Sequence, residues 1–294
     1  RKINKLKKQI EKIISYGLYP SLLTIVMLII VLAINFGSNY KVVYAITTIF
    51  LVFTLVITET FFPLNTEWKM TRKSFWRDLR YIFIDAPTIA LSKTGFGLIA
   101  IWYSENYNGY FTNSSLIISV IVFLLVFEFF QYWYHRLSHT SKGKIGRFLW
   151  RTHLAHHLPN KVYVVMHAVF NPINAFLTAT IIQLPLILLG ISPEAALAAT
   201  LLIDLQSLVS HFNVNIKAGW LNYIFIGTET HRFHHSANIN EAKNYGNTLA
   251  IWDIIFGTFY YKPNEFPEKL GMENPNEYPK SENIFEVVTL PFKK

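Results

Sequence analysis

The chain has 294 residues, a hydrophobic content of 52% and a charged content of only 15%. This composition, with its positive mean hydropathy, argues against a soluble domain and indicates an integral membrane protein. The formal charge of +9 does not indicate nucleic-acid binding, because the basic residues collect at the ends of apolar runs, where they set membrane topology. Since the chain has no cysteine, it can form no disulfide or thiolate ligand, and any metal must be held by nitrogen and oxygen donors.

The first apolar runs predict two membrane spans, at residues 18–36 and 42–62. Residues 1–12 carry six basic residues against one acidic residue, and residues 65–80 carry five against two. Because basic residues accumulate on the cytoplasmic side, both flanking segments are predicted to be cytoplasmic. The uncharged run 13–40 is too long for the core of a cleaved signal peptide, so we expect it to stay in the membrane.

Two further spans are predicted at residues 81–103 and 116–134. The first is interrupted by an aspartate, a proline and a lysine, which a helical bundle can accommodate. The segment between them, residues 104–115, has no basic residue and is expected outside.

Two later apolar segments, residues 172–191 and 195–209, predict a hairpin around the break GISPE. The hairpin either crosses the membrane fully or dips in and returns, and in both cases its ends emerge on one side. Residues 211–235 should therefore share the cytoplasmic face with residues 135–157, and both segments are rich in histidine.

Together these elements predict an all-α fold, a multi-span membrane helical bundle of four to six spans with a cytoplasmic histidine-rich helical cap. Both termini are expected in the cytoplasm. We expect one integral domain with three regions: N-terminal membrane spans at residues 1–115, a histidine-rich region including the hairpin at residues 116–262, and an extended tail at residues 263–294. The tail holds five of the twelve prolines.

All ten histidines lie between His135 and His235, and eight of them form three clusters. These clusters are His135 and His139; His153, His156 and His157; and His231, His234 and His235. On a helix, steps of three and four residues return to one face, so each cluster can aim its imidazoles in one direction. Eight imidazoles are too many for one metal ion and indicate two metals in a shared cage.

The spacing HxxxH, HxxHH and HxxHH on a multi-span protein resembles the fatty acid hydroxylase and sterol desaturase superfamily of membrane di-iron oxygenases. The resemblance covers about residues 128–260, where YHRLSH, LWRTHLAHH and THRFHHS are similar to the three histidine boxes and NYGNTLAIWDIIFGTFY to the closing segment. His211, in HFN, matches an additional histidine before the third box, and His167 stands where many members have one after the second. The resemblance implies that the ten histidines bind two iron ions, with O2 as co-substrate, in a catalytic region at residues 116–262.

Two carboxylates are predicted to accept the far ring N–H of ligand histidines and to offset the metal charge. Glu128 lies seven residues before His135, and Asp204 lies seven before His211, so each pair shares a helical face. The alternative for both is helix-end polarity or a hydrogen bond between helices. Two loop carboxylates are further candidates for the same role: Glu229 and Asp253. Three aromatic residues are instead typical of interfacial anchors: Trp133, Tyr134 and Trp150.

A di-iron site beside lipid acyl chains suits hydroxylation of an unactivated C–H bond, or desaturation, which the same ligands allow. The expected substrate is a fatty acyl chain, a sterol-like ring or an ether lipid. Because the chain has no nucleotide, haem or iron–sulfur motif, electrons must come from a separate electron-transfer protein. Zinc can replace iron after overexpression, because metal occupancy follows ligand type and availability.

Other classes of metal protein fit the sequence less well. A carboxylate di-iron bundle needs repeated ExxH pairs, which are absent, and a b-type cytochrome would have histidines inside its spans. The alternative that stays open is a divalent-metal transporter or metal-storage protein. Transport would call for ionisable residues along a path at the bilayer midplane.

Overall fold

The computed structural model describes residues 2–293, and within that range it is helical, with two isolated β-bridges and no strand. Five helical segments are long and apolar enough to cross a membrane. They are Lys5–Asn35, Tyr40–Phe61, Arg72–Asn106, Leu116–Thr140 and Pro172–Leu189. The predicted all-α bundle of four to six spans is therefore confirmed.

The first of these segments includes most of helix α1 (Lys2–Ile13), a π-helical turn and helix α2 (Tyr19–Asn35). It begins well before the predicted span at residue 18, because the lysine-rich start is charged but is composed of good helix formers. The second span is helix α3 (Tyr40–Phe61), which begins where the Asn39 side chain accepts hydrogen bonds from the backbone N–H groups of residues 41 and 42.

Helix α4 (Arg72–Asn106) is continuous for 35 residues and passes through Pro87 without ending. Its start is fixed by a reciprocal capping box between Thr71 and Ser74. Helix α5 (Leu116–Thr140) extends six residues beyond its predicted end at residue 134, since no glycine or proline interrupts it. This extension carries two of the histidines out of the predicted apolar span.

Helix α6 (Gly143–His157) follows after a short reversal at Gly143, whose φ of +74° favours glycine. Helices α7 (Pro172–Leu189) and α8 (Pro193–Ser210) form the predicted hairpin. Helix α8 lies at the centre of the bundle, where its apolar residues pack against α2, α3 and α5. It is not one of the five long apolar segments, and it carries the polar residues Glu194, Asp204 and Gln206.

The turn of this hairpin lies directly against the loop that joins α4 to α5. The backbone N–H of Phe111 donates to the carbonyl of Leu189 at 2.8 Å, and a Cβ added to Gly109 would lie 2.3 Å from the Cα of Gly190. Since that loop joins two spans, α7 and α8 extend across the same depth as α4 and α5. The hairpin therefore crosses the bundle instead of dipping in and returning.

The close approach of these two backbones leads to a prediction for the Gly109→Ala variant. Its added methyl group would overlap backbone that cannot rotate away, so the two loops must separate, and we expect a clear loss of thermal stability. The matched control is Gly97→Ala in α4, where nothing lies within 4 Å of the new Cβ. Melting of both variants in detergent measures the difference, and equal melting temperatures would contradict the contact.

Residues after 262 run over the histidine-rich region and end near α6. The tail is mostly irregular, with one short α-helix (Ile284–Thr289) whose apolar side packs on the protein. The Gly271 N–H donates to the carbonyl of His235 at 2.9 Å, which joins the tail to the histidine-rich region. The division of the chain into three regions stays a prediction, as does the cytoplasmic position of the cap.

Candidate metal centre

Nine of the ten histidines converge on two adjoining groups, and within each group the ligand nitrogens all lie within 4.8 Å of one another. The first group is His135, His139, His153, His157 and His234; the second group is His156, His211, His231 and His235. All are buried except His139, which is partly exposed. The two groups are in contact, since the rings of His157 and His235 stack with their centroids 4.6 Å apart.

Each HxxHH motif divides its histidines between the two groups. In α6, His153 and His157 belong to the first group, whereas His156 belongs to the second. Residues i and i+4 lie above one another on a helix, but neighbouring residues point about 100° apart, so the adjacent histidines face different centres. The motif at helix α9 (Thr228–His234) is divided in the opposite sense: its outer pair belongs to the second group and its middle histidine to the first.

The distances between ring nitrogens fit a shared cation in each group. In the first group, the Nε2 of His153 lies 3.0 Å from the Nε2 atoms of both His135 and His157. In the second, the Nε2 of His211 lies 3.0 Å from that of His156 and 3.1 Å from that of His231. With metal–nitrogen bonds of about 2.1 Å, ligands at right angles lie about 3.0 Å apart and tetrahedral ligands about 3.4 Å apart.

Backbone and amide oxygens fix the tautomer of several rings. The Nδ1 of His135 lies 2.8 Å from the carbonyl oxygen of Tyr245, and that of His234 lies 2.9 Å from the carbonyl oxygen of Lys243. Because a carbonyl oxygen only accepts, Nδ1 carries the hydrogen and Nε2 keeps a free lone pair. Several such lone pairs facing one another are stable only around a cation, so the residues present fit a metal.

Burial, together with repulsion between neighbouring histidines, keeps these rings neutral. Burial is the main cause that lowers the pKa of His156, His157 and His235 well below the usual value, and the neighbouring histidines add to it. Burial also lowers the pKa of His211 to about 3. The imidazoles outside the spans are thus unprotonated at neutral pH and are available as ligands.

His167 is not brought into either group. Its Nδ1 lies 2.9 Å from the carbonyl oxygen of Val164, and its ring centroid is 6.3 Å from that of His211. Its assignment as a ligand stays a prediction.

The nine clustered histidines form the cage, and the two predicted carboxylates accept hydrogen bonds from other residues. Glu128 is fully buried and accepts from the backbone N–H groups of Asn247 and Thr248. Asp204 accepts from the hydroxyl of Thr48. Neither accepts from one of the nine clustered histidines in the described part of the chain, where the Nδ1 partners are carbonyl oxygens, one asparagine side chain and the Ser210 hydroxyl.

Asp253 acts on the first group through the backbone. Its carboxylate accepts from the N–H groups of Tyr245 at 2.8 Å and Gly246 at 2.7 Å, and from the Thr258 hydroxyl at 2.6 Å. Tyr245 supplies the carbonyl that orients His135. The other loop candidate, Glu229, instead holds the backbone N–H of Ala218.

Sequence reasoning missed two polar residues around the cage. Glu59 of α3 is buried and accepts from the N–H groups of Val164 at 3.1 Å and Asn213 at 3.4 Å, so it joins the turn before His167 to the loop after His211. Its signal was a carboxylate near the end of an apolar run. The second, Asn174 of α7, lies with its Oδ1 3.1 Å from the His153 Nδ1 and had no signal in a single sequence.

The cage adjoins one cavity on each side. On one side, a cavity of about 130 Å³ lies among α5, α7 and α8 and is lined by apolar residues and by histidines of both groups. On the other side, a crevice of about 410 Å³ between α6 and the tail reaches His139, His157 and His234. Its wall includes Trp150, whose ring lies 5.0 Å from the His139 ring and whose N–H donates to the Tyr278 hydroxyl at 3.3 Å.

The Nδ1 atoms, which point away from the shared centre, are hydrogen-bonded differently in the two groups. The two groups should therefore differ in metal affinity. In the second group, the Nδ1 atoms of His156, His231 and His235 are buried without a partner among the described residues. Groups that hydrogen-bond to a ligand histidine typically raise metal affinity by roughly 10- to 100-fold. We therefore expect a chelator to remove half of the bound metal first, measured as metal per chain against free chelator.

The assignment of that first half to the second group has its own check. Asn174→Leu removes the acceptor near the His153 Nδ1. The first-group metal should then be released at a lower chelator concentration, closer to the one that releases the second-group metal. Release of both metals from the original protein in a single step would contradict the difference between the groups.

Comparison with known proteins agrees with this site. The fatty acid hydroxylase family matches residues 120–258, a range that contains all ten histidines. The ornithine lipid hydroxylase OlsE of Rhizobium tropici is 26% identical over 242 residues, which are 79% of this chain and 70% of that protein. The alkylglycerol monooxygenase of Homo sapiens is 32% identical over 134 residues, which are 45% of this chain but only 28% of that protein.

No solved structure is significantly similar to this chain. The fold therefore does not add to the comparison, and the assignment depends on the family match, the relatives and the histidine pattern. On those grounds, residues 120–258 match the fatty acid hydroxylase family, and the relatives support a place for the chain in that superfamily.

Proposed function

We propose that this protein is a membrane-bound di-iron oxygenase that hydroxylates a C–H bond of a lipid, with residues 116–262 as its catalytic region. The observation that carries the proposal is the convergence of nine histidines on two adjoining groups. In the reaction, R–H, O2, two electrons and two protons give R–OH and water. The two iron ions would supply the activation of O2, and the chain supplies their ligands, the lipid site and a path for electrons.

Iron fits the reaction and the ligand set better than zinc does. Zinc has no redox chemistry and prefers four tetrahedral ligands. The nearest ring nitrogens within each group are 3.0 to 3.2 Å apart, closer to the spacing of ligands at right angles. We still expect zinc to occupy the site after overexpression, because imidazole binds both metals.

A lipid substrate is supported by the smaller cavity, which reaches both histidine groups from among helices that belong to the membrane bundle. The relatives are named for the hydroxylation of an ornithine lipid and the monooxygenation of alkylglycerol. We infer a fatty acyl chain, a sterol-like ring or an ether lipid as the substrate. Hydroxylation is preferred over desaturation, because it requires only one C–H bond to be positioned.

Electrons would reach the cage from a separate protein that docks over the crevice between α6 and the tail. Trp150 and Tyr278 form an aromatic link from this crevice towards the His139 ring. Exposed basic residues lie at the start of α6: Lys142, Lys144 and Arg147. Since residues 135–161 include six basic residues and no acidic residue, the donor should present an acidic face.

The same charge distribution supports a cytoplasmic position for the cage and for both termini. Basic residues cluster in residues 1–12, 65–80 and 135–161, whereas residues 104–115 have none. Metal transport or storage, the alternative from the sequence, gains no support from the relatives, which are named as hydroxylases and monooxygenases.

Lipid analysis under heavy O2 tests the proposed function. Cells that express the protein with a reducing system should contain lipids that have gained one heavy oxygen atom, and cells with a His156→Ala variant should not. Loss of two hydrogens without gain of oxygen would indicate desaturation. If no lipid changes while the protein carries iron, the proposed function is wrong.

A further inference from the structure

Residues 244–261, which follow the third histidine cluster, form a loop whose two ends lie together. The Asn244 side chain donates to the carbonyl of Tyr260 at 2.7 Å and accepts from the Tyr260 N–H at 2.7 Å. The Asn244 N–H also donates to the carbonyl of Thr258 at 3.2 Å. Between these ends the chain runs out to a short helix, α10 (Ile251–Ile255), and returns. The loop therefore enters and leaves on the same side.

The tip of this loop lies beside the apolar run of α5 and not beyond its end. Two backbone N–H groups near the tip donate to the carboxylate of Glu128, and the Trp252 ring N–H donates to the carbonyl of Leu125 at 3.2 Å. The apolar run of α5 ends at residue 134, six residues after Glu128. Because a helix rises about 1.5 Å per residue, Glu128 lies about 9 Å inside the run. The tip is thus at a depth where α5 spans the membrane.

The outer surface of the tip is an apolar patch of four isoleucines: Ile224, Ile251, Ile254 and Ile255. The three on α10 are spaced i, i+3 and i+4 and share one face. Ile224 adjoins them, because its carbonyl accepts from the N–H of Ala250 at 2.9 Å. The four side chains are 37% to 58% exposed, so no other part of the described chain covers this patch. An exposed patch of this kind is typical of contact with lipid or with another protein.

The charges of the loop fit a segment that dips into a bilayer. Residues 244–261 include a single charged residue, Asp253, and it is fully buried. Lys243 and Lys262 stand directly before and after the segment. Basic residues that flank an apolar segment are typical of the membrane surface, where their ammonium groups reach water.

The irregular backbone of the loop has its hydrogen bonds satisfied by protein. The Asp253 carboxylate accepts from the N–H groups of Tyr245 and Gly246, and its main-chain carbonyl accepts from those of Thr258 at 2.8 Å and Phe259 at 3.0 Å. Hydrocarbon offers no hydrogen-bond partner, so non-helical backbone at membrane depth must be satisfied internally. A loop surrounded by water would not need buried carboxylates for these groups.

We propose that residues 244–261 form a re-entrant segment whose isoleucine patch contacts the acyl chains of the leaflet on the side of the histidine cage. Lipid is the favoured occupant because the patch continues the exposed surface of α5. The Phe129 ring lies 5.0 Å from the Trp252 ring, and the neighbouring Phe130 is 52% exposed. The inference concerns the position of this segment in the membrane and does not depend on the reaction. It gives Glu128 and Asp253 a shared role, which is to complete the backbone hydrogen bonds of the segment inside the bilayer.

Spin labelling in lipid nanodiscs tests the proposal, because the chain has no cysteine to interfere with single substitutions. Nitroxide labels on Ile254→Cys and Ile255→Cys should be relaxed by O2, which dissolves in hydrocarbon, and shielded from a water-soluble nickel chelate. Their ratio of O2 to nickel accessibility should resemble that of Phe130→Cys on the exposed face of α5.

Ile239→Cys is the matched control. Ile239 is also an exposed isoleucine, but it lies in the wall of the crevice between α6 and the tail. Its label should be reached by the nickel chelate. Each labelled protein should retain the metal content of the original, since all four substitutions replace exposed side chains.

Two results would overturn the proposal. The first is nickel accessibility of the labels at 254 and 255 as high as that at 239, which would place the patch in water. The second is shielding of these labels from both reagents together with magnetic broadening between labelled copies, which would assign the patch to a contact between two copies of the chain. Neither result bears on lipid hydroxylation, which the heavy-O2 experiment tests separately.

Discussion

Replacing His156 by alanine should leave the protein with about one metal ion per chain and no measurable hydroxylation, and so should His157→Ala, through loss of the other ion. The reason is that α6 sends these two adjacent side chains into different groups. Each variant removes one ligand from one group and leaves the other group complete. The fall in turnover should exceed the roughly 10- to 100-fold typical of residues outside a ligand set, because hydroxylation requires both ions.

Metal analysis and turnover on the same preparations check this result. Spectroscopy of the remaining metal ion, which is iron in the proposed function, should differ between the two variants, because a different centre survives in each. His167→Ala tests the remaining predicted ligand, since His167 lies in neither group and its Nδ1 is held by a backbone carbonyl. Retention of both ions in His156→Ala would contradict the assignment of ligands to the two groups, whereas loss of an ion in His167→Ala would add His167 to the ligands.

The division of each HxxHH motif was outside the reach of the sequence, although the motif itself was not. Periodicity predicts that histidines at i and i+4 share a face, and the structure agrees for both motifs. Which centre that face meets depends on how α6 and α9 pack around the cage. No residue in either motif records that packing, so the opposite sense of the two motifs could be seen only in three dimensions.

The bundle was predictable where an apolar run was long and uniform. The runs that became α2, α3 and α5 match predicted spans closely at one end or both. Helix α8 was harder, because a helix surrounded by other helices can carry polar residues such as Gln206 without exposing them to lipid. Its crossing became visible only through the contact between Gly109 and Gly190.

Acceptors for the far ring nitrogens were the least predictable part of the site. Carboxylates are the acceptors that a sequence predicts, because they can be recognised in it. The structure uses main-chain carbonyls of Tyr245 and Lys243, and every residue has such a group. The visible carboxylates act one step further away, since Glu128 and Asp253 hold the loop that presents the Tyr245 carbonyl.

That arrangement predicts a large effect of Asp253→Ala on the first metal group. The change leaves the backbone N–H groups of Tyr245 and Gly246 and the hydroxyl of Thr258 without their buried acceptor. At about 1 to 3 kcal/mol for each unsatisfied group, the local cost is several kcal/mol. The loop should loosen, so that the Tyr245 carbonyl no longer orients the His135 ring. Affinity for the first-group metal should then fall by roughly 10- to 100-fold.

Metal titration and melting of the folded variant measure this effect, with Asp253→Asn and Glu241→Ala as controls. Asparagine keeps one oxygen acceptor at the same place and should recover part of the metal affinity. Glu241 is a nearby loop carboxylate that contacts only the Ser236 hydroxyl in the described part of the chain, so its loss should leave metal binding unchanged. If Asp253→Ala melts at a lower temperature but binds both ions as tightly as before, the loop contributes to stability alone, and the link from Asp253 through the Tyr245 carbonyl to His135 is refuted.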